Sequence, residues 1–118
     1  MFAEALKKVI DNVEGGIGGV IMGLDGIPVE TYTRQPDRLD ITTVGMEFSF
    51  ILAQVRKAAE SLQVGSCEEM AVKAERLFLV VRMLDARYFI AVALTPDGNF
   101  GKARYLMRLA APRLTEQL

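Results

Sequence analysis

A glycine-rich run that leads into an apolar segment and ends at Asp25-Gly26 most constrains the fold of this chain. The apolar residues on either side predict two strands, about Ile17 to Leu24 and about Ile27 to Thr33. Asp-Gly between two apolar runs is a strong hairpin signal, because a two-residue primed turn needs positive φ at both central positions. Pro28 has no N–H, so the second strand is expected at a sheet edge.

A short amphipathic helix precedes this hairpin, and Gly15 and Gly16 are expected to end it. A much longer helix follows, from about Arg38 to Gln63, with Asp37 or Asp40 as its N-cap and Gly65 at its end. One broad apolar face of the long helix is expected to cover the sheet. It comprises Ile41, Val44, Phe48, Ile51, Leu52, Val55, Ala59 and Leu62.

Three strands and a last helix complete the order αββαβββα. The strands are predicted at Cys67 to Glu75, which alternates, and at Leu77 to Leu84 and Tyr88 to Leu94, which are apolar. Short hairpin connections predict an antiparallel sheet, and its two apolar central strands need helices on both faces. The last helix is predicted from Phe100 to Glu116, with Pro112 kinking or shortening it. Its inward residues are expected to be Leu106, Leu109, Ala110 and Leu114.

The composition fits one globular domain over residues 1–118, with 51% hydrophobic and 25% charged residues. The mean hydropathy of +0.23 is high for a small monomer, so either the core is generous or a partner covers apolar surface. A net charge of -1 gives no argument for nucleic acid or an anionic membrane. No apolar run approaches the roughly 20 residues of a membrane span. Cys67 is the only cysteine, and no signal peptide is visible, so the cytoplasm is the expected location.

The long helix carries a second, smaller apolar patch, made by Met46, Phe50 and Ala53, nearly opposite its broad face. A helix that lies on a sheet needs only one apolar stripe. Isolated surface residues are one explanation of the patch. Burial against a second copy is favoured, because aromatic residues and methionine are enriched in interface cores and two-fold dimers are the commonest oligomers.

No constellation of residues indicates catalysis, a metal or a cofactor. The chain has no histidine, so Cys67 has no partner for a thiol dyad. The segment from Gly98 to Lys102 reads GxxGK, two residues short of a phosphate loop, and Ala103 replaces the Ser or Thr that would meet magnesium. A turn accounts for Asp25, and Glu30 is an ordinary edge-strand charge. The chain is therefore predicted not to be an enzyme.

Four segments carry a resemblance to a known family. They are Val13-Glu14-Gly15-Gly16-Ile17, Leu24-Asp25-Gly26-Ile27-Pro28-Val29, Gly65-Ser66-Cys67-Glu68-Glu69 and Asn99-Phe100-Gly101-Lys102-Ala103-Arg104-Tyr105. In this order, over nearly the whole chain, the sequence resembles the roadblock/dynein light chain family, in particular its stand-alone prokaryotic members. The resemblance implies an α+β fold. A five-stranded antiparallel sheet would have the long helix on one face and the N- and C-terminal helices on the other.

The resemblance also implies a homodimer, formed through the long helix and the third strand, that serves as a platform for a small Ras-like GTPase. Some bacterial members of the family activate GTP hydrolysis by their partner, and other members only scaffold, so a structural adaptor remains the alternative. The exposed side of the paired helices is the expected partner surface. Its candidate contacts are Glu47, Gln54, Arg56 and Lys57. Arg56 as an arginine finger is weighed against a solvated helix face, which is favoured.

Overall fold

The computed structural model describes all 118 residues and has three helices and five strands. The helices are α1 (Phe2–Asp11), α2 (Ile41–Ser61) and α3 (Phe100–Gln117). The strands are β1 (Gly16–Gly23), β2 (Pro28–Thr33), β3 (Glu69–Lys73), β4 (Phe78–Met83) and β5 (Tyr88–Leu94). The sheet order is β2-β1-β5-β4-β3, and every neighbouring pair is antiparallel. The element order and the α+β fold expected from the sequence are thus confirmed.

Two separate hydrophobic cores lie on the two faces of the sheet. On one face, residues of α1 and α3 such as Leu6 and Met107 pack against Ile90 and other residues of the strands. On the opposite face, Val44 and Leu52 of α2 pack against residues such as Phe89. Alternate residues of one strand therefore serve different cores, because successive side chains point to opposite faces. β5 is the central strand, with β1 and β4 on either side of it. β1 is buried throughout and β5 is buried apart from Tyr88, whereas β4, which was expected to be a buried central strand, is half-buried at Phe78, Arg82 and Met83.

A glycine brings α2 close to the sheet. A Cβ atom at Gly45 would lie 2.9 Å from Met22 Cε and 3.0 Å from Val20 Cγ1. A larger residue at this position would require the side chains of Met22 and Val20 to move, or the helix to shift away from β1. The close contact holds the first half of α2 over β1.

The hairpin is built differently from the predicted two-residue turn. Gly26 N–H donates to Gly23 O at 2.9 Å, and Gly23 N–H donates to Ile27 O at 3.0 Å, so three residues form the loop. Only Gly26 has a positive φ (85°), as expected for a type I turn followed by one left-handed residue. The Asp25 carboxylate accepts the Ile27 N–H at 3.0 Å, and this hydrogen bond stabilises the turn.

The second helix is shorter than predicted at both ends. Of the two candidate N-caps, Asp40 is confirmed: its carboxylate accepts the N–H groups of Thr42 and Thr43. Its pKa is lowered by the hydroxyl group of Thr43 and by these backbone donors. The helix ends at Ser61, before Gly65, because Gln63 already adopts a left-handed conformation with φ of 56°. The third strand is likewise shortened to Glu69–Lys73.

The last helix continues through Pro112 to Gln117, so the prediction that this proline shortens it is wrong. Leu114, two residues beyond the proline, is fully buried, and the Thr115 hydroxyl donates to Leu84 O at 3.0 Å. These contacts hold the last turn against the sheet and offset the missing N–H. Leu109 was expected inside but is exposed, because it lies on the face away from Met107.

Two residues of the predicted broad face of α2, Ile51 and Leu62, are also exposed. The buried side of α2 is centred on Gly45, Ser49 and Leu52, so the helix is rotated from the orientation that its apolar residues suggested. Small residues at positions 45 and 49 allow this rotation, because they let α2 approach β1 on that side. No helix in the fold combines the length and the apolar character that a membrane span requires.

Candidate interaction surface

The outward side of α2 exposes large apolar side chains. Phe50 is 75% exposed and Met46 is 48% exposed, whereas Ala53 is half-buried. Residues spaced by four and three positions lie on one side of a helix, so these three form a continuous patch, called here the α2 patch. Isolated surface leucines need no explanation, but an aromatic side chain left almost fully in water at the centre of such a patch is typical of an interface.

The four predicted partner contacts divide into two groups. Arg56, which is half-buried, and Lys57, which is exposed, line an open groove of about 610 Å³ together with Ala53. The groove lies between the end of α2 and the connection to β3, and its other lining residues are Ala59, Glu60, Gln63, Gly65, Ser66 and Cys67. Glu47 and Gln54 are exposed outside this groove. Neither Glu47, Arg56 nor Lys57 forms an ion pair within the chain.

The charged side chains of β3 point back to their own chain. The Glu69 carboxylate contacts Arg104 Nη2 of α3 at 2.6 Å and Arg82 Nη1 of β4 at 3.8 Å. This carboxylate raises the pKa of the Arg104 guanidinium. At the other end of the strand, Lys73 Nζ donates to Pro96 O at 2.8 Å and lies 5.0 Å from the centre of the Phe78 ring. Both ends of β3 are therefore fixed on the α3 side of the sheet.

The outer edge of β3 has free backbone groups. Ala74 N–H donates to Leu77 O and Met83 N–H donates to Glu68 O, so even-numbered residues of this strand bond to β4. By the alternation of an antiparallel ladder, the N–H and C=O groups of Glu69, Ala71 and Lys73 point outward. Ala71 is exposed and small. Charged side chains on this strand could shield the edge, but Glu69 and Lys73 are bound on the α3 side of the sheet instead.

The opposite edge, β2, offers fewer free donors. Pro28 lacks an N–H, and the outward N–H of Thr31 donates to the Glu30 carboxylate at 3.1 Å. The predicted edge position of this strand is confirmed. Tyr32 adds a tie to α1, because its hydroxyl group donates to Asp11 at 2.7 Å. Edge strands blocked in this way resist pairing with other chains.

The segments considered for chemistry have structural roles. Asn99 caps α3 by accepting the Lys102 N–H at 3.1 Å, so the GxxGK segment forms a turn and a helix start. Cys67 is half-buried, with its thiol 3.7 Å from Glu69 O. No three His, Cys, Asp or Glu side chains are placed to hold a metal ion. The arrangement supports recognition of another protein and offers no nucleophile with an activating base.

Solved structures with the same fold identify the family. The crystal structure of MglC from Myxococcus xanthus is 38% identical, with 98% of this chain and 97% of that chain covered and a TM-score of 0.70. A roadblock/LC7 domain from Streptomyces avermitilis is 15% identical, with coverages of 97% and 94% and a TM-score of 0.85. The gliding protein MglB from Thermus thermophilus is 16% identical, with coverages of 98% and 88% and a TM-score of 0.84.

The last two structures share the fold at low identity, whereas the first is related to this chain in sequence along nearly its whole length. No family model matches the sequence, and no curated protein matches it. The four segments that resembled the roadblock family occupy the connection from α1 into β1, the hairpin, the approach to β3 and the start of α3. With this identity and this fold, the chain belongs to the roadblock/LC7 family.

Proposed function

We propose that this chain is a homodimeric platform that binds and regulates a small Ras-like GTPase and has no enzyme site of its own. The observation that carries the proposal is the pairing of the exposed α2 patch with an open sheet edge at β3, in a member of the roadblock/LC7 family. Solved relatives by fold include a protein described as a gliding protein, which fits a regulatory role.

The β3 edge has a self-complementary register. If two copies pair antiparallel about Ala71, Glu69 lies opposite Lys73 of the partner subunit, and Lys73 lies opposite Glu69 of the partner subunit. This is the register in which all five residues of the strand overlap, and it places opposite charges across the pair. Two sheets of five strands then join into one of ten.

The α2 patch supplies the apolar part of the same interface. A two-fold axis brings equal surfaces together, so Phe50 meets the same region of the second copy. Hydrogen bonds along a five-residue strand alone give a marginal contact, whereas an added helix pair brings the buried area into the range of stable dimers. The dimer thus uses both features that a single chain leaves uncovered.

The paired helices present charged residues that no group of this chain neutralises. Arg56 and Lys57 line the groove at the end of α2, and Glu47 and Gln54 extend the surface along the helix. We assign these four residues to contact with the GTPase, following the role that the family resemblance implies. A structural adaptor that leaves GTP hydrolysis unchanged is the alternative function.

The deciding experiment mixes the purified protein with a small Ras-like GTPase of the same organism, in GTP and GDP states. Preferential binding of one state with faster phosphate release supports an activator. Binding that is equal for both states supports the adaptor. Hydrolysis of GTP by this chain alone, with no GTPase bound, contradicts the proposal.

The variant Arg56→Ala sharpens the mechanism. An arginine finger contributes about 10³-fold or more to the stimulated rate. We expect Arg56→Ala to weaken binding while the stimulated rate at saturation changes by less than about tenfold, because activation would come from reorienting residues of the GTPase. Lys57→Ala is the matched control for loss of one charge from the same groove.

A further inference from the structure

The outer side of α3 forms a second uncovered surface on the opposite side of the sheet from α2. Ala103, Met107 and Leu114 face the core, whereas Tyr105 and Leu109 are each 57% exposed. Pro112, also exposed, follows Leu109 by three positions. At about 100° per residue, the three exposed residues lie within an arc of roughly 60° and form a narrow apolar stripe.

Cations flank this stripe on both sides. Lys102 and Arg113 project on one side of it and Arg108 on the other, and all three are exposed. None of them forms an ion pair within the chain, in contrast to Arg104, which is held by Glu69. The stripe and its three free cations are called here the α3 face.

The charge of the chain is unevenly divided. Within α3, four cations stand against the single acid Glu116, a net charge of +3. Since the whole chain has a net charge of -1, the remainder carries -4. The α3 face is therefore a cationic surface on an otherwise acidic protein, and it attracts an anionic partner locally.

We propose that the α3 face binds an acidic amphipathic helix of another protein. A helix with its own apolar stripe, flanked by Asp and Glu, matches the α3 face in both apolar and charged contacts. An anionic membrane fits less well, because the rest of the chain carries a net charge of -4, which an extended anionic surface repels and a single helix docked on α3 does not contact. Docking here leaves α2 and β3 free, so this site extends the proposed function with a second partner.

The test uses a labelled helical peptide of about 18 residues, with Leu at positions i, i+3, i+4 and i+7 and Glu on the flanks. Binding to the full chain is measured by fluorescence anisotropy at about 0.1 M salt, where surface charges are incompletely screened. We expect saturable binding that weakens by about tenfold or more in Arg108→Glu and in Leu109→Asp. Arg76→Glu, which reverses an exposed cation outside the α3 face, is the matched control and should bind the peptide normally.

A second peptide with Lys in place of every Glu should not bind. The proposal is overturned if the acidic peptide fails to bind, or if Arg76→Glu weakens binding as much as Arg108→Glu does. It is also overturned if vesicles containing anionic phospholipid bind the chain through Arg108 while the peptide does not. Circular dichroism of each variant separates lost binding from lost folding.

Discussion

The two edge strands of the sheet both carry charged side chains, but these side chains have different effects on the exposed backbone. On β2, Pro28 removes one donor, and Glu30 accepts the outward N–H of Thr31, so the edge is occupied by its own side chain. On β3, the carboxylate of Glu69 and the ammonium group of Lys73 are bound by other parts of the chain, and the outward backbone groups of Ala71 are left free. Charge on an edge strand is therefore not sufficient to protect it.

Both edge strands are also tied to a helix on the same face of the sheet. Tyr32 of β2 bonds to Asp11 of α1, and Glu69 of β3 bonds to Arg104 of α3. On β2, the bond from Tyr32 to Asp11 leaves Glu30 free to accept the outward N–H of Thr31. On β3, the ion pair with Arg104 holds the Glu69 carboxylate away from the edge, so this carboxylate does not accept an outward N–H. What decides whether an edge is open is where its charged groups find their partners.

Ala71→Pro should have the largest effect, because it removes an outward donor from the open edge. In each copy the strand loses a hydrogen bond and gains a steric clash, so the dissociation constant of the dimer should rise by about 100-fold or more. Light scattering coupled to size exclusion measures the mass. Thr31→Pro makes the same change on β2, at the opposite edge of the sheet, and should leave the dimer intact.

Two outcomes would contradict this assignment of the edges. If the wild type is a monomer at micromolar concentration, the open edge has no partner copy. If Thr31→Pro dissociates the dimer and Ala71→Pro does not, the two edges have been assigned the wrong way round. Thermal unfolding of both variants checks that each remains folded.

Phe50→Asp tests whether the open edge acts together with the α2 patch. The substitution places an unpaired charge in the proposed interface, and the dimer should weaken by about 30-fold or more. Leu109→Asp changes an exposed apolar residue on α3 and should leave the dimer unchanged. An unaffected dimer in Phe50→Asp would mean that the edge strands associate without α2.

Much of the fold follows from local patterns in the sequence. The order of elements, the edge position of β2 and the burial of β5 follow from periodicity, Pro28 and an apolar run. Predictions failed where contacts between distant parts of the chain determine the orientation or the length of a helix. The rotation of α2 depends on the space that Gly45 leaves beside Met22, and the continuation of α3 past Pro112 depends on burial of Leu114.

The candidate surface was predictable only in part. The exposure of Met46 and Phe50 follows from helical spacing, because both lie away from the side that packs on the sheet. The open edge of β3 was not predictable, since the partners of Glu69 and Lys73 lie 35 and 23 residues further along the chain. The role of both surfaces in a dimer remains a prediction.

Hydrogen exchange of single amides gives a finer view of the two edges. In a dimer paired through β3, the Ala71 amide should exchange about 100-fold more slowly than in the monomeric Phe50→Asp variant, because the partner accepts its hydrogen bond. The Thr31 amide should be unaffected by dissociation. Glu30→Ala should accelerate exchange at Thr31 alone. Equal exchange of Ala71 in both forms would show that its amide stays in water.

The smallest expected effect concerns the tie between β2 and α1. The pKa of Asp11 is lowered from 3.8 by hydrogen bonds from Lys7 and Tyr32, and the pKa of Lys7 is raised from 10.5 by the same carboxylate. Because the unfolded chain binds the Asp11 proton more readily, the stabilisation is present above pH 3.8 and is lost as the pH falls through the lower folded value. The stabilisation from Lys7 is present below pH 10.5 and is lost as the pH rises through the raised pKa of Lys7 in the folded chain.

Asp11→Asn isolates this tie, because the amide oxygen still accepts the Tyr32 hydroxyl but carries no charge for Lys7. Both groups are exposed, so the Tm of Asp11→Asn should be only slightly lower than that of the wild type near pH 7. The two Tm values should converge as the pH falls through the lowered pKa of Asp11, and as it rises through the raised pKa of Lys7, because the pair is then no longer ionised. Glu4→Gln removes a carboxylate from the same helix that bonds neither Lys7 nor Tyr32, and it is the matched control. A Tm difference that persists unchanged at acid pH would show that the charge of Asp11 does not account for the stabilisation.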